Sequence, residues 1–305
     1  MILVTASDIH IRHTKPRARR DAFFLTQFKK VDYILQYCSE HGAAALLVAG
    51  DVFDTPFVPF FVVGQYTGLF RRKLRSTKLI AVFGQHDLRY HSLEQVENTP
   101  LHLLLLATDG VRAQPDSPVV LGDSVKVYGV SWGEKIHPPD DNCFSVLLIH
   151  RMVTKSGALF PGQTDYIEAK KLLSKTGYDL IVTGDNHEPF YEELNGRLLI
   201  NNGSLVRLRI DQKDVKPRFS SVEIENGTIK DFKWVYPPHL PGDEVFREDI
   251  RAESKEDDVL MFLDQLKEDI ASKPFDFSLA LRQALDMVDE STKKWVEILL
   301  QEVDE

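Results

Sequence analysis

Cysteine is almost absent. The chain has two among 305 residues, Cys38 and Cys143, too few for a disulfide framework and too far apart in sequence for a zinc knuckle. No apolar run approaches the ~20 residues of a membrane span, and no repeat or low-complexity tract occurs. The first residues, MILVTASDIH, carry no basic segment followed by an apolar one, so no secretory leader is expected. These absences exclude a disulfide-stapled secreted domain, a membrane-spanning chain and a repeat array. They leave the expectation of a cytoplasmic globular protein with no membrane partner.

Hydrophobic residues at 43% and charged residues at 27% are ordinary for such a protein. The length favours one large domain with a small appendage. A net charge of -9 looks hostile to nucleic acid, but it is unevenly divided. Residues 241–305 hold 19 Asp and Glu against 8 Lys and Arg, whereas residues 1–240 hold 27 acids and 29 bases. The acidity belongs to the tail.

Five aliphatic runs read as buried strands: ILVTA, ALLVAG, LIAVFG, SVLLIH and LIVTG. Between them, Asp21 to Cys38 has apolar residues at helical spacing, and Pro59 to Leu74, Leu93 to Leu106 and Thr164 to Leu173 also read as helices. Strands alternating with helices imply an α/β domain. From about Arg197 the pattern turns to strand and turn, with Asn226-Gly227 a hairpin signal. Pro237, Pro238, Pro241 and Gly242 read as a stiff linker, so the boundaries expected are 1–240 for the main domain and 241–305 for an acidic helical segment.

The chemistry sits where the strands end. DxH at Asp8 and His10, GDxxD at Asp51 and Asp54, GxHD at His86, His150 alone, and GxxH at His187 follow apolar runs in that order. A single Asp or His after a strand is usually a turn former or helix cap; five such endings in one chain are not explained that way. In open α/β sheets the carboxyl ends of strands form the ligand crevice, and carboxylates with imidazoles suit a divalent first-row metal such as manganese or iron.

At these residues the chain resembles the calcineurin-like metallophosphoesterases and, within them, the SbcD-type (Mre-type) nuclease subunits of double-strand-break repair complexes. AGDVFDTPFVP, Ala49 to Pro59, carries most of that likeness, with Asn202-Gly203-Ser204 and Arg207 after the last motif. The resemblance implies a β-sandwich flanked by helices in four layers (α/β/β/α), with a small C-terminal helical appendage. It assigns Asp8, His10 and His187 to one metal, makes Asp51 the bridge, and gives the second metal Gln85, His150 and Asp185. His86 would stabilise or protonate the leaving oxygen, and Asp54 would orient His86. Two cations ~3.5–4 Å apart can then activate a water and clamp phosphate oxygens.

Two positions depart from the family pattern: Gln85 stands where GNHD has Asn, and Asp185 where GHxH has its first His. Both fall on the second metal and replace or displace a ligand with oxygen, which favours Mn2+, or Mg2+, over zinc. The resemblance also implies DNA as substrate, a homodimer, and an SbcC-like coiled-coil ATPase partner, for which the apolar stripe Phe277, Leu281, Leu285, Val288, Trp295, Ile298 and Leu299 offers a face; the alternative is that the stripe packs on its own neighbouring helix. Arg12, Lys15, Arg17, Arg19 and Arg20 form a basic stretch beside the first motif, expected with Ser204 and Arg207 to contact the DNA backbone; the alternative is a solvated loop. The expected function is a metal-dependent exonuclease and endonuclease subunit acting in DNA repair and recombination. The alternatives are a phosphoesterase acting on small nucleotides or phosphoproteins, and a catalytically weakened scaffold for the ATPase.

Overall fold

Residues buried on both faces form the five central strands, which is why those strands are continuous apolar runs rather than alternating ones. The computed structural model describes residues 1–139, 143–159 and 163–247. In chain order the elements are β1 (Ile2–Ala6), α1 (Phe23–Glu40), β2 (Ala45–Ala49), α2 (Phe60–Lys73), β3 (Lys78–Val82), α3 (Pro100–Ala107) and β4 (Val111–Arg112). Then come β5 (Val119–Leu121), β6 (Val125–Val130), β7 (Phe144–His150), β8 (Val153–Thr154), β9 (Ile167–Glu168), α4 (Ala169–Thr176) and β10 (Leu180–Gly184). The last are β11 (Phe190–Leu194), β12 (Arg197–Asn201), β13 (Phe219–Glu225), β14 (Thr228–Val235) and the single turn α5 (Gly242–Val245).

Two six-stranded sheets result, in the orders β14-β13-β1-β2-β3-β4 and β11-β12-β10-β7-β6-β5. Strands β1 to β4 run parallel in the first sheet, and β6, β7, β10 and β12 in the second. Alternation along each strand separates two destinations. Leu3, Leu47, Ile80 and Val82 face Val127, Val146, Leu148 and Val182 across the sandwich. Val4, Leu46, Val48 and Leu79 face outward onto α1 to α3, while Leu147, Ile149, Ile181 and Leu199 of the second sheet pack on α4. Each such Val, Leu or Ile contributes about 1.5–3 kcal/mol by leaving water. The four-layer α/β/β/α sandwich is thus present, and it places the carboxyl ends of parallel strands from both sheets at one edge.

Three expectations need correction. The helix expected from Leu93 to Leu106 is broken at Thr99: Pro100 cannot continue a preceding helix, so Thr99 is extended (φ -118°, ψ 151°) and caps α3, accepting from His102 N at 3.2 Å. The helix expected from Thr164 starts only at Ala169, because Ile167–Glu168 pair with Val153–Thr154. The segment expected to leave the domain after the linker at residues 237–242 packs back instead: Val245 and Phe246 are buried, and Arg20 N and Arg247 N bond Val245 O and Ala18 O at 2.9 Å. Residues 241–247 therefore continue the main unit, Met1–Arg251. The helical patterns and apolar stripe expected further on lie outside the described residues.

Candidate metal centre

Loops from both sheets crowd together at the common edge. Asp8 and His10 follow β1, Asp51 follows β2, Gln85 and His86 follow β3, His150 ends β7, and Asp185 and His187 follow β10. Asp8, His10, Asp51 and Asp185 all lie in the left-handed region, with φ of 48°, 48°, 49° and 88°, a conformation that non-glycine residues keep only where surrounding structure imposes it. The crowding has its own sequence requirement. A Cβ on Gly84 would sit 2.0 Å from Asp51 Oδ1, and one on Gly50, at φ +83°, would sit 2.3 Å from His150 Nδ1. Asp87 ties the loops together by accepting from the backbone N–H groups of Phe53 at 2.9 Å and Gly84 at 3.0 Å.

The imidazoles of His10 and His187 face each other with Nε2 atoms 3.1 Å apart. Asp54 lies 3.2 Å from His10 Nδ1, leaving Nε2 turned into the cluster, and Arg12 pairs with the other Asp54 oxygen at 2.9 Å. His150 donates from Nδ1 to Ala49 O at 2.7 Å and from Nε2 to Gln85 Oε1 at 2.8 Å, with Asp51 Oδ2 at 3.4 Å. Gln85 Nε2 donates to Asp185 Oδ1 at 2.9 Å, and Asp185 N donates to Asp8 Oδ1 at 3.0 Å. His86 N donates to Asp51 Oδ1 at 3.0 Å. Its Nδ1 faces the backbone carbonyl of Asp54 at 3.1 Å. The expected role of Asp54 is therefore corrected: its carboxylate orients His10, and only its main chain positions His86.

Burial raises the Asp8 carboxyl to about 7, reinforced by the charge of Asp51. Burial works against the charged forms of His10 and His150 too, but the carboxylates around them outweigh it and raise the two imidazoles to about 9 and about 10. Asp51 goes the other way: despite its burial, His150 and the neighbouring imidazoles hold it well below the usual range. Burial together with the charge of His10 lowers His187 to about 3, and burial lowers His86. Both are neutral imidazoles near pH 7.

These groups fit divalent metal. Three sets hold one ligand atom per residue within 4.8 Å of each other: Asp8, His10 and His187; His10, Asp51 and His86; and Asp8, Asp51 and His150. Asp8 Oδ2 is fully buried and accepts no hydrogen bond, a costly state that a cation would relieve. Among the described residues Asp185 joins none of these sets; it and Gln85 turn toward each other. Gln85 Oε1 nevertheless stays 2.8 Å from His150 Nε2, at the edge of the cluster.

The family model of the calcineurin-like phosphoesterase superfamily domain matches residues 1–227. The chain belongs to that superfamily. Solved structures similar to this phosphoesterase include a novel archaeal phosphodiesterase, 15% identical with a TM-score of 0.42, covering 77% of this chain and 99% of that one. Protein TT1561 of Thermus thermophilus is 11% identical with a TM-score of 0.47, covering 78% and 99%. No curated protein matches significantly. The superfamily's use of divalent metals agrees with the cluster of Asp and His found at the sheet edge.

The basic residues around the phosphoesterase centre divide sharply. Lys15 and Arg17 are exposed and Arg12 is partly so. Arg19 is 1% exposed, pairs with Asp21 at 2.8 Å and donates to Arg207 O. Arg207, also buried, donates to Lys213 O at 2.9 Å and Leu240 O at 2.6 Å, and Arg20 spends its guanidinium on the backbone of Asp243 and Glu244. Ser204 is buried with its hydroxyl on Val206 O at 2.6 Å. Arg19, Ser204 and Arg207, expected to contact DNA, stand buried and brace the fold instead, whereas Arg20 remains exposed with its guanidinium on backbone carbonyls.

Two positioning residues escaped the sequence reading. Gln212 accepts the Leu208 N–H at 2.7 Å and so turns its amide nitrogen to His187 Nδ1, 3.2 Å away. Gln27, on the buried face of α1, bonds His10 O at 2.6 Å. A polar residue on the otherwise apolar stripe around Phe24, Phe28 and Val31 was the available signal for Gln27; nothing local marks Gln212. Among the described residues no helix is long and apolar enough to cross a membrane.

Proposed function

We propose that this phosphoesterase hydrolyses phosphodiester bonds in DNA with Mn2+, as the nuclease subunit of an SbcCD-like repair and recombination complex. The observation that carries this reading is the chain Arg12–Asp54–His10: the basic segment through Lys15 and Arg17 starts directly at the metal cluster, where a phosphate backbone would enter. Asp8, His10, Asp51, His187 and His150 would hold the ions, which when bound supply Lewis-acid stabilisation of phosphate oxygens and acidify water. His86 is held by Asp51 and Asp54 through its backbone N–H and Nδ1; with its proton on Nδ1, its Nε2 presents a lone pair to the reacting groups and protonates the leaving oxygen only after taking up a proton of its own. A group placed to move that proton contributes about 10²–10⁴-fold.

The homodimer belongs to the same reading. Phe60 and Phe61 on α2 and Leu106 on α3 are 92%, 58% and 64% exposed, apolar surface of the kind that protein partners cover. The ATPase would engage the stripe beginning at Phe277.

The test uses purified protein with manganese on end-labelled single- and double-stranded DNA beside a chromogenic phosphate ester. DNA cleavage that is lost in His86→Ala is expected. Ester hydrolysis with no DNA cleavage would return the protein to small nucleotides or phosphoproteins. DNA cleavage that survives His86→Ala would remove His86 from the reaction.

A further inference from the structure

The lip of the centre beside Gln85 and His150 is aromatic and exposed. Trp132 follows β6, whose Val130 pairs in register with Ile149, next to His150. Its backbone N–H bonds Phe83 O at 2.8 Å, two residues before Gln85. Its ring is 38% exposed and meets His91 edge to face at 5.5 Å. Tyr90, 37% exposed, precedes His91 in the loop that leaves His86. Both Tyr90 and His91 have positive φ, 54° and 51°, so the loop holds this pair in a conformation neither prefers. In the same turn, Arg89, the residue before Tyr90, lies over the Phe57 ring at 4.9 Å, and Phe57 is itself 40% exposed.

The indole of Trp132, more than a third of it in water, costs free energy unless something covers it, and a nearby cation adds attraction for an electron-rich partner. Exposed aromatics interleaved with Arg beside a phosphate site are the physical requirements for holding an unpaired base by its face. We propose that Trp132 and Tyr90 form a stacking subsite for the unpaired nucleobase next to the scissile phosphate, with Arg89, the neighbour of Tyr90, supplying its positive charge. The inference rests on the phosphodiesterase reading and narrows its substrate to strands whose bases are free at the cut. Stacking needs only a π face, so the subsite discriminates base from no base, not one base from another.

The probe is a phosphorothioate oligothymidylate, which resists cleavage, and its abasic counterpart. The chain has three tryptophans, so the contribution of Trp132 is read as the difference between wild type and Trp132→Phe. The base-bearing strand is expected to quench that difference signal and the abasic strand to leave it unchanged. Wild type should bind the base-bearing strand about ten-fold more tightly, Trp132→Phe should keep that preference, and Trp132→Ala should lose most of it. Tyr90→Ala, with a smaller loss, serves if Trp132→Ala proves unfolded by circular dichroism. Equal binding of the two strands by wild type, or no quenching of Trp132, would overturn the subsite. Cleavage of unmodified DNA is read separately, so a protein that cuts DNA yet ignores the base loses the subsite only. One that fails to cut yet shows the quench loses the nuclease reading only.

Discussion

The two sides of the metal cluster use the same chemistry but are closed differently. On the Asp8, His10 and His187 side, the two imidazoles share a single hydrogen bond and the Asp8 Oδ2 is buried without a partner. On the His150 side, Gln85 joins His150 to Asp185 by two hydrogen bonds. The first side is left with unmet demands that a cation answers; the second has already met them internally, and a cation there must compete with bonds the protein makes to itself. The difference teaches that Gln85 and Asp185, whatever each offers a metal singly, stand first as a hydrogen-bonded pair.

The largest effect is therefore expected on the first side. His10→Ala should bind one manganese ion fewer by calorimetry and lose several kcal/mol of transition-state stabilisation, about 100-fold or more in rate. Gln85→Ala frees His150 and Asp185 and should change metal affinity on its side by only about 10-fold. Equal losses from both substitutions would mean that the two sides are not distinct.

Proton occupancy sharpens the same contrast. His10 and His150 are raised from 6.5 to about 9 and about 10, so they stabilise the metal-free fold fully below about pH 6.5 and lose that contribution as pH climbs through their folded values. Asp8, raised from 3.8 to about 7, acts in the same direction at lower pH: its ionisation costs the fold more as pH rises between those values. Asp51 is depressed, so its contribution is present above 3.8 and lost on acidification. Chelator-treated protein should melt at progressively lower temperature from pH 6.5 to about 9.5, and manganese should flatten that fall, because bound cations replace the departing protons. A melting temperature that rises over this window without metal would contradict the arrangement. His187, already neutral, contributes no proton to the exchange near pH 7.

Much of the fold and of the cluster was legible in the amino-acid order. All five central strands fell where apolar runs ended in Asp or His, since a strand buried on both faces has no polar alternation to disguise it. The Asn226-Gly227 hairpin followed from two residues that accept positive φ, 53° and 71°. The same signal at Asn195-Gly196 passed unread, because FYEEL before it is an edge strand of mixed polarity. Depth was what the sequence could not supply. Lys15 and Arg19 are both cations of one basic run, yet one is in water and the other 1% exposed; only the return of residues 241–247 onto that run decides it. Asp54 was correctly placed near His86 but assigned to the wrong imidazole, since the spacing of GDxxD does not say which of two rings its carboxylate will meet.

That division of the basic run gives the smallest effect and the finest test. A phosphate contact from an exposed cation releases counterions, so the logarithm of affinity falls with the logarithm of salt, and each contact removed reduces the slope by about 1. Lys15→Gln should flatten the salt dependence of DNA binding by that amount with little change in melting temperature. Arg19→Gln should do the reverse, lowering the melting temperature and leaving the slope unchanged, because its guanidinium is committed to Asp21 and the Arg207 carbonyl. If Arg19→Gln flattened the slope instead, the buried arginine would have to reach the DNA, and the closure by Val245 and Phe246 would have to open for it.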